Sequence, residues 1–303
     1  MARVFIDGEA GTTGLQIRER LAGRADIELV RVDPARRKDP GARREAFAAA
    51  DVAILCLPDA AAREAVALAE GLPVRIIDAS TAHRVAPGWA YGFPELAAGL
   101  RERIAVADRV SNPGCYSTGA IALIAPLVAA RLVAPQEPLS INAVSGYSGG
   151  GKELIAEFEE GRAPDFFVYA LGQAHKHLAE IMAHAGLTTR PVFAPSVGRF
   201  AQGMVVQVPL HLQGRRIAEL QEALAAHYRG ARFVRVVGPE SYGGRVVPTA
   251  LNDSNLVDLS VHGSDEAGLA VLVAVLDNLG KGASGAAVQN LNLMIGADEG
   301  AGL

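Results

Sequence analysis

Cysteine is scarce in this chain of 303 residues, which contains only Cys56 and Cys115. Two thiols cannot build a disulfide framework, and neither stands at a metal-ligand spacing. Aromatic residues amount to 5%, with a single Trp, and the formal net charge is −4. No basic field or basic-aromatic stretch therefore invites nucleic acid. Long apolar runs are missing too. The longest, near residues 120–130, is interrupted by Pro126 and is too short to span a bilayer. The first residues run straight into Ala2-Arg3-Val4-Phe5-Ile6-Asp7 without a signal-like apolar core or cleavage site. These absences predict a cytoplasmic chain with reduced thiols, no metal, no nucleic-acid partner and no membrane contact.

What is present is ordinary for a globular enzyme: 50% hydrophobic and 20% charged residues. Short apolar runs at 4–7, 27–32, 52–57 and 74–78 alternate with helical stretches at 13–22 and 59–70. That order predicts a parallel sheet with helical crossovers. The pattern changes after Cys115. A helix at 121–132, a strand at 139–145, period-2 runs at 204–212 and 256–262, a helix at 217–228 and a strand at 233–237 predict a mixed sheet with helices on one face. The polar residues 252–255 read as a turn. The expected fold is α/β: a Rossmann-type parallel-sheet domain, 1–115 plus a returning helix within 283–303, and an α+β substrate and dimerisation domain, 116–282. The alternation at 204–212 suggests a sheet covered by a second copy, giving a homodimer or homotetramer.

The first strand ends in Gly8-Glu9-Ala10-Gly11-Thr12-Thr13-Gly14, followed by a helix. Such a turn brings backbone close to a pyrophosphate and leaves helix N–H groups to bind it. Strand two ends at Asp33, which favours a ribose hydroxyl and NAD. Arg36, Arg37 and Lys38 follow, and they favour the extra phosphate of NADP. The cues oppose one another, and three consecutive cations tilt the reading to NADP.

The segment Ser111-Asn112-Pro113-Gly114-Cys115-Tyr116-Ser117-Thr118-Gly119 leads turn residues into an apolar helical stretch. Cys115 is thereby expected near a helix N-terminus, where unpaired N–H groups favour a thiolate. Cys56 lies in an apolar run and reads as an inert core residue. In His175-Lys176-His177-Leu178-Ala179-Glu180, His177 and Glu180 share one helical face. Two histidines so spaced could begin a metal site, but no third ligand is nearby.

These residues resemble the short class of the N-acetyl-γ-glutamyl-phosphate reductase family. The resemblance covers nearly the whole chain and is most specific at Ser-Asn-Pro-Gly-Cys-Tyr and at Val288-Gln289-Asn290-Leu291-Asn292-Leu293. Glu9 and Ala10 stand where the family's glycine loop often carries Ser or Thr. The resemblance implies that Cys115 is the nucleophile and His177 the acid/base, with His175 and Glu180 beside it. It implies that Arg84 receives the substrate phosphate, and that Ser145, Gly146 and the loop to residue 151, with Asn290, flank the nicotinamide of NADP(H). The implied reaction reduces an acyl phosphate to an aldehyde through a thioester in arginine biosynthesis. Three alternatives stand beside it: an aspartate-semialdehyde dehydrogenase acting on a shorter acyl phosphate, a non-catalytic NADP sensor, and a cysteine hydrolase.

Overall fold

A computed structural model describes residues 1–303, which divide into two compact units: Met1–Pro113 with Ala283–Leu303, and Gly114–Gly282. The first unit runs β1 (Ala2–Asp7), α1 (Thr12–Leu21), β2 (Ile27–Val30), α2 (Pro40–Ala49), β3 (Val52–Leu55), α3 (Asp59–Leu68), β4 (Arg75–Asp78), β5 (Ala90–Tyr91), α4 (Leu100–Val106) and β6 (Arg109–Ser111). A C-terminal helix, Gly285–Ile295, completes it. The strands form an all-parallel sheet in the order β2-β1-β3-β4-β6-β5, as the alternating apolar runs predicted.

Both faces of this sheet are covered. Side chains alternate along a strand. Val4, Ile6, Val52 and Ile54 join Ile17 of α1 and Val288 and Leu291 of the C-terminal helix. Phe5, Ala53 and Leu55 face the other way, onto Phe47 of α2 and Ala65 of α3. Arg75 fastens one end of this arrangement. It donates to the carbonyls of Ala105 (2.7 Å), Ala107 (2.9 Å) and Met294 (2.6 Å), which satisfies the last turns of α4 and the C-terminal helix.

The second unit comprises α5 (Cys115–Ala129), β7 (Ser140–Gly146), α6 (Gly151–Glu159), β8 (Phe166–Val168), α7 (His177–Ala185), β9 (Val192–Gly198), β10 (Met204–His211), α8 (Ile217–His227), β11 (Val234–Val236), β12 (Val257–Ser264) and β13 (Leu269–Leu276). Its sheet has the order β11-β12-β13-β10-β7-β9-β8, with parallel and antiparallel pairs mixed. Helices α5 and α8 lie on one face, and α7 packs against α5.

The alternation of β10 is accounted for within the chain. Met204, Val206, Val208 and Leu210 are buried, whereas Gln207, Pro209 and His211 are exposed. Gly119 of α5 explains how helix and sheet come so close: a Cβ there would stand 2.7 Å from Val206 Cγ2. Helix α5 also continues through Pro126. Proline cannot donate to the carbonyl four residues back, and that carbonyl, of Ala122, accepts the Tyr228 hydroxyl at 2.9 Å instead.

Gly8 closes the turn after β1 with φ +91°, and a Cβ there would overlap the Cys56 carbonyl oxygen. Gly23 has φ +78° but faces open space. Gly8→Ala should therefore cost about 2 kcal/mol or more, against about 1 kcal/mol for Gly23→Ala. Urea denaturation of the two variants checks this, and equal losses would contradict the steric account.

Candidate active site

In the first unit, the glycine turn opens onto a cavity of about 750 Å³ lined by Gly8, Glu9, Ala10 and Gly11. Gly14 lets α1 begin against the turn, since a Cβ would lie 2.7 Å from the Gly8 carbonyl oxygen. Gly11 is the N-cap of α1 and no side chain caps the helix, so the N–H groups of its first turn, which holds Thr12 and Thr13, suit an anion. Arg31, Arg37, Lys38 and Arg43 also line the cavity. Arg43 donates to Asp7 at 2.6 Å. Burial raises the Asp7 carboxyl above its usual range, and Arg43 opposes that rise.

Asp33 and Arg36 are placed differently from Arg37. The Asp33 carboxylate accepts the Ala35 N–H at 2.9 Å, capping a short 3₁₀ turn at Pro34–Arg36. Arg36 pairs with Asp39 at 3.0 Å and stands outside the cavity wall. Cys56 is also not where the apolar run suggested. Strand β3 stops at Leu55, and Cys56 lines the cavity. Desolvation, with the charges of Asp78 and Asp7, pushes its thiol up to about 12, so it remains protonated and inert.

At the far end of this unit, Asn290 donates to the Gly92 carbonyl (3.0 Å) and to Asn112 Oδ1 (3.1 Å). Asn112 in turn donates to Ala283 O at 2.9 Å. Asn290 Oδ1 is buried with no hydrogen-bond partner, an acceptor that fits a ligand amide. Arg84 is buried, with Nε on the Asn112 carbonyl (3.0 Å) and Nη2 on that of Ala79 (3.1 Å). Its guanidinium thus grips the main chain of the segment that leads to Cys115.

In the second unit, Cys115 is the first residue of α5, and Gly114 is its N-cap. The helix starts six positions before the stretch from 121 that periodicity marked, because Tyr116, Ser117, Thr118 and Gly119 are weak helix formers. Glu180, reaching from α7, holds both the N-cap residue and a side chain of the first turn. Its Oε1 accepts the Gly114 N–H at 2.9 Å and its Oε2 accepts the Ser117 hydroxyl at 2.7 Å. Gly282 lies directly against Cys115, since a Cβ there would stand 2.9 Å from Cys115 Cβ.

Cys115 lines a cavity of about 260 Å³ with Tyr116, Ser145, Gly146, Gly149, Gly150, Phe167 and Tyr169. Asn278 holds its glycine-rich wall, donating to Ser148 Oγ at 3.0 Å and accepting the Gly203 N–H at 2.7 Å. Burial raises both phenols, Tyr169 to about 12, so each keeps its proton. Tyr116 donates to the Ser196 carbonyl at 2.9 Å. The sequence flagged Tyr116 only as part of a motif, and Tyr169 and Asn278 carried no signal.

The two histidines are not equivalent. His175 Nδ1 accepts the His177 main-chain N–H at 3.1 Å, which caps the start of α7. Its proton therefore sits on Nε2, which faces the Tyr169 hydroxyl at 3.3 Å. Proton exchange at His175 would break one of these bonds. His177 is buried beside it, with ring centroids 4.7 Å apart, and its ring lies 5.9 Å from that of Tyr116. Neither ring forms part of the cavity wall.

A family model described as semialdehyde dehydrogenase, dimerisation domain, matches residues 115–278, and one described as semialdehyde dehydrogenase, NAD binding domain, matches residues 35–106. The chain is 54% identical over 303 residues to N-acetyl-gamma-glutamyl-phosphate reductase 2 of Pseudomonas putida, covering 97% of each. It is 54% identical over 306 residues to N-acetyl-gamma-glutamyl-phosphate reductase of Brucella ovis, covering 97% of this chain and 99% of that one. Among solved structures, aspartate semialdehyde dehydrogenase II of Vibrio cholerae, complexed with ASA, aligns with a TM-score of 0.71 at 15% identity, over 97% of this chain and 98% of that one. The aspartate semialdehyde dehydrogenase of Francisella tularensis aligns with a TM-score of 0.73 at 14% identity, over 97% and 100%. At such identities the likeness is one of fold. The identity to the reductases is of another order, and the chain belongs to the semialdehyde dehydrogenase family and, within it, to the N-acetyl-γ-glutamyl-phosphate reductases.

Proposed function

We propose that this chain reduces N-acetyl-γ-glutamyl phosphate to N-acetylglutamate 5-semialdehyde and phosphate with NADPH, through a thioester on Cys115, as a step of arginine biosynthesis. One observation carries the reading: Cys115 begins α5 and lines a cavity, in a chain 54% identical along nearly its whole length to reductases named for this acyl phosphate. No helix is long and apolar enough to cross a membrane, and we place the enzyme in the cytoplasm. The match to a dimerisation domain supports a homo-oligomer.

Gly8, Gly11, Thr12, Thr13 and Gly14 would hold NADPH, which would supply the hydride when bound; Ser145, Gly146 and Asn290 are assigned to the nicotinamide end on the family resemblance. Asp33 is already used as a turn cap while Arg37 and Lys38 line the cavity, which supports NADP over NAD. We assign the adenosine 2′-phosphate to Arg37 and Lys38.

The Cys115 thiolate attacks the γ-acyl carbon, the C–O bond to phosphate breaks, and a thioester forms on Sγ. Arg84, held on the Asn112 carbonyl, is our assignment for the departing phosphate. Reduction of the thioester leaves an oxyanion, which the start of α5 is suited to stabilise. His177 gives that oxygen a proton and removes it again as the C–S bond breaks, releasing aldehyde and thiolate. The hydrogen bonds at both nitrogens of His175 support His177 rather than His175 for this exchange. His175 sets the start of α7 and orients Tyr169.

In the reverse direction, phosphate-dependent NADP reduction should proceed with N-acetylglutamate semialdehyde and at least about a hundredfold slower with aspartate semialdehyde, since buried polar groups discriminate at that scale. A preference for the shorter aldehyde would sink the substrate assignment. Cys115→Ser should lower turnover by at least about 10⁴-fold with NADPH affinity unchanged. Near-normal turnover in that variant would exclude the covalent route. Replacing Arg37 and Lys38 together by Ala should raise KM for NADPH about 10–100-fold, the worth of one or two charge-assisted hydrogen bonds, and leave KM for NADH nearly unchanged.

A further inference from the structure

Glu180 does more than share a helical face with His177. Its side chain is 1% exposed, and both of its oxygens reach the first turn of α5, on either side of Cys115 in sequence: Gly114 N–H at 2.9 Å and Ser117 Oγ at 2.7 Å. A carboxylate at a helix N-terminus is stabilised by the macrodipole. It also puts a negative charge beside the group that must become a thiolate, and like charges oppose one another's ionisation.

We propose that Glu180 is a positioning residue with two opposed effects on the nucleophile, fixing the turn that presents Cys115 while restraining the ionisation of its thiol. The first effect follows from hydrogen bonding. Without Glu180 the Gly114 N–H and the Ser117 hydroxyl lose buried partners. The second follows from charge. Other titratable groups near this end of α5 are Tyr116, Tyr169, His175 and His177, with Lys281 next to Gly282 in the chain. The phenols are neutral, and Glu180 is the carboxylate bonded to the turn itself. Because α7 carries both Glu180 and His177, the same contact joins the proposed acid/base helix to the nucleophile's helix.

The inference rests on the reading of Cys115 as nucleophile, but its test does not need turnover. Glu180→Gln preserves the shape and the two hydrogen bonds to α5, since the amide oxygen accepts from Gly114 and the amide nitrogen donates to Ser117 Oγ, while the charge is lost. Removing that charge favours the Cys115 thiolate and so raises the reactive fraction at pH 7. The lower nucleophilicity of a more acidic thiol reduces the gain to roughly threefold.

Iodoacetamide labelling of the full-length protein at pH 7, read by mass spectrometry of the Cys115 peptide, should therefore be roughly threefold faster in Glu180→Gln. Unchanged or slower labelling overturns the charge effect. Glu180→Ala, which also removes the hydrogen bonds, should lower kcat about a hundredfold or more with KM for NADPH unchanged. Full turnover in Glu180→Ala, provided it elutes and melts like the parent, overturns the positioning effect. Failure of Cys115→Ser to lower turnover would instead remove the thioester reading and leave the labelling result standing.

Discussion

Glycine at 114 leaves the start of α5 without a side-chain cap of its own, and the fold answers with a carboxylate from another helix. That buried contact fixes the turn from which Cys115 begins α5. An uncapped helix start is where a thiolate is best stabilised, and it is also where a helix frays. Glu180 satisfies the Gly114 N–H from α7 without placing a bulky residue next to Cys115. The same economy of volume recurs around Cys115. Gly119 lets α5 lie on Val206 of β10, and Gly282 lets the turn after β13 approach Cys115 itself. A side chain at Gly119 or Gly282 would force the helix or the turn away.

The first unit solves a related problem with an anion in view. There the start of α1 is left open, with glycine at the cap and no side chain upon it. Cations line the cavity beside it. A carboxylate of the protein itself thus holds the residue before one helix, whereas the other helix start has cations beside it.

Much of this was legible in the sequence. The apolar runs of β1, β3 and β4 and the glycines of the first turn need only local physics to be recognised. So does the turn-to-helix character around Cys115, although its start was read too late because four weak helix formers follow the cysteine. Strand β13 was invisible. Leu269–Leu276 is apolar without alternation because β13 is covered on both faces, by α5 and by residues such as Tyr242 and Leu251, and such a run has no period to mark it. Strands β5 and β6, two and three residues long, are too short to carry a pattern. Among site residues, Asp33 shows the limit most clearly. Its distance from the glycines suggested a ribose ligand, and the bond of one carboxylate oxygen to its own turn two residues on could not be read from that distance. Glu180 shows the complementary limit: its helical face was readable, whereas its partners, 66 and 63 positions away, depend on tertiary packing.

The central claim is that Cys115 forms a covalent acyl intermediate. The most direct measurement is the intact mass of the protein after mixing with N-acetyl-γ-glutamyl phosphate in the absence of NADPH. The account predicts an N-acetylglutamyl adduct on the Cys115 peptide that disappears when NADPH is added, with aldehyde released. Phosphate release without an adduct, or an adduct carried on a different residue, would contradict it.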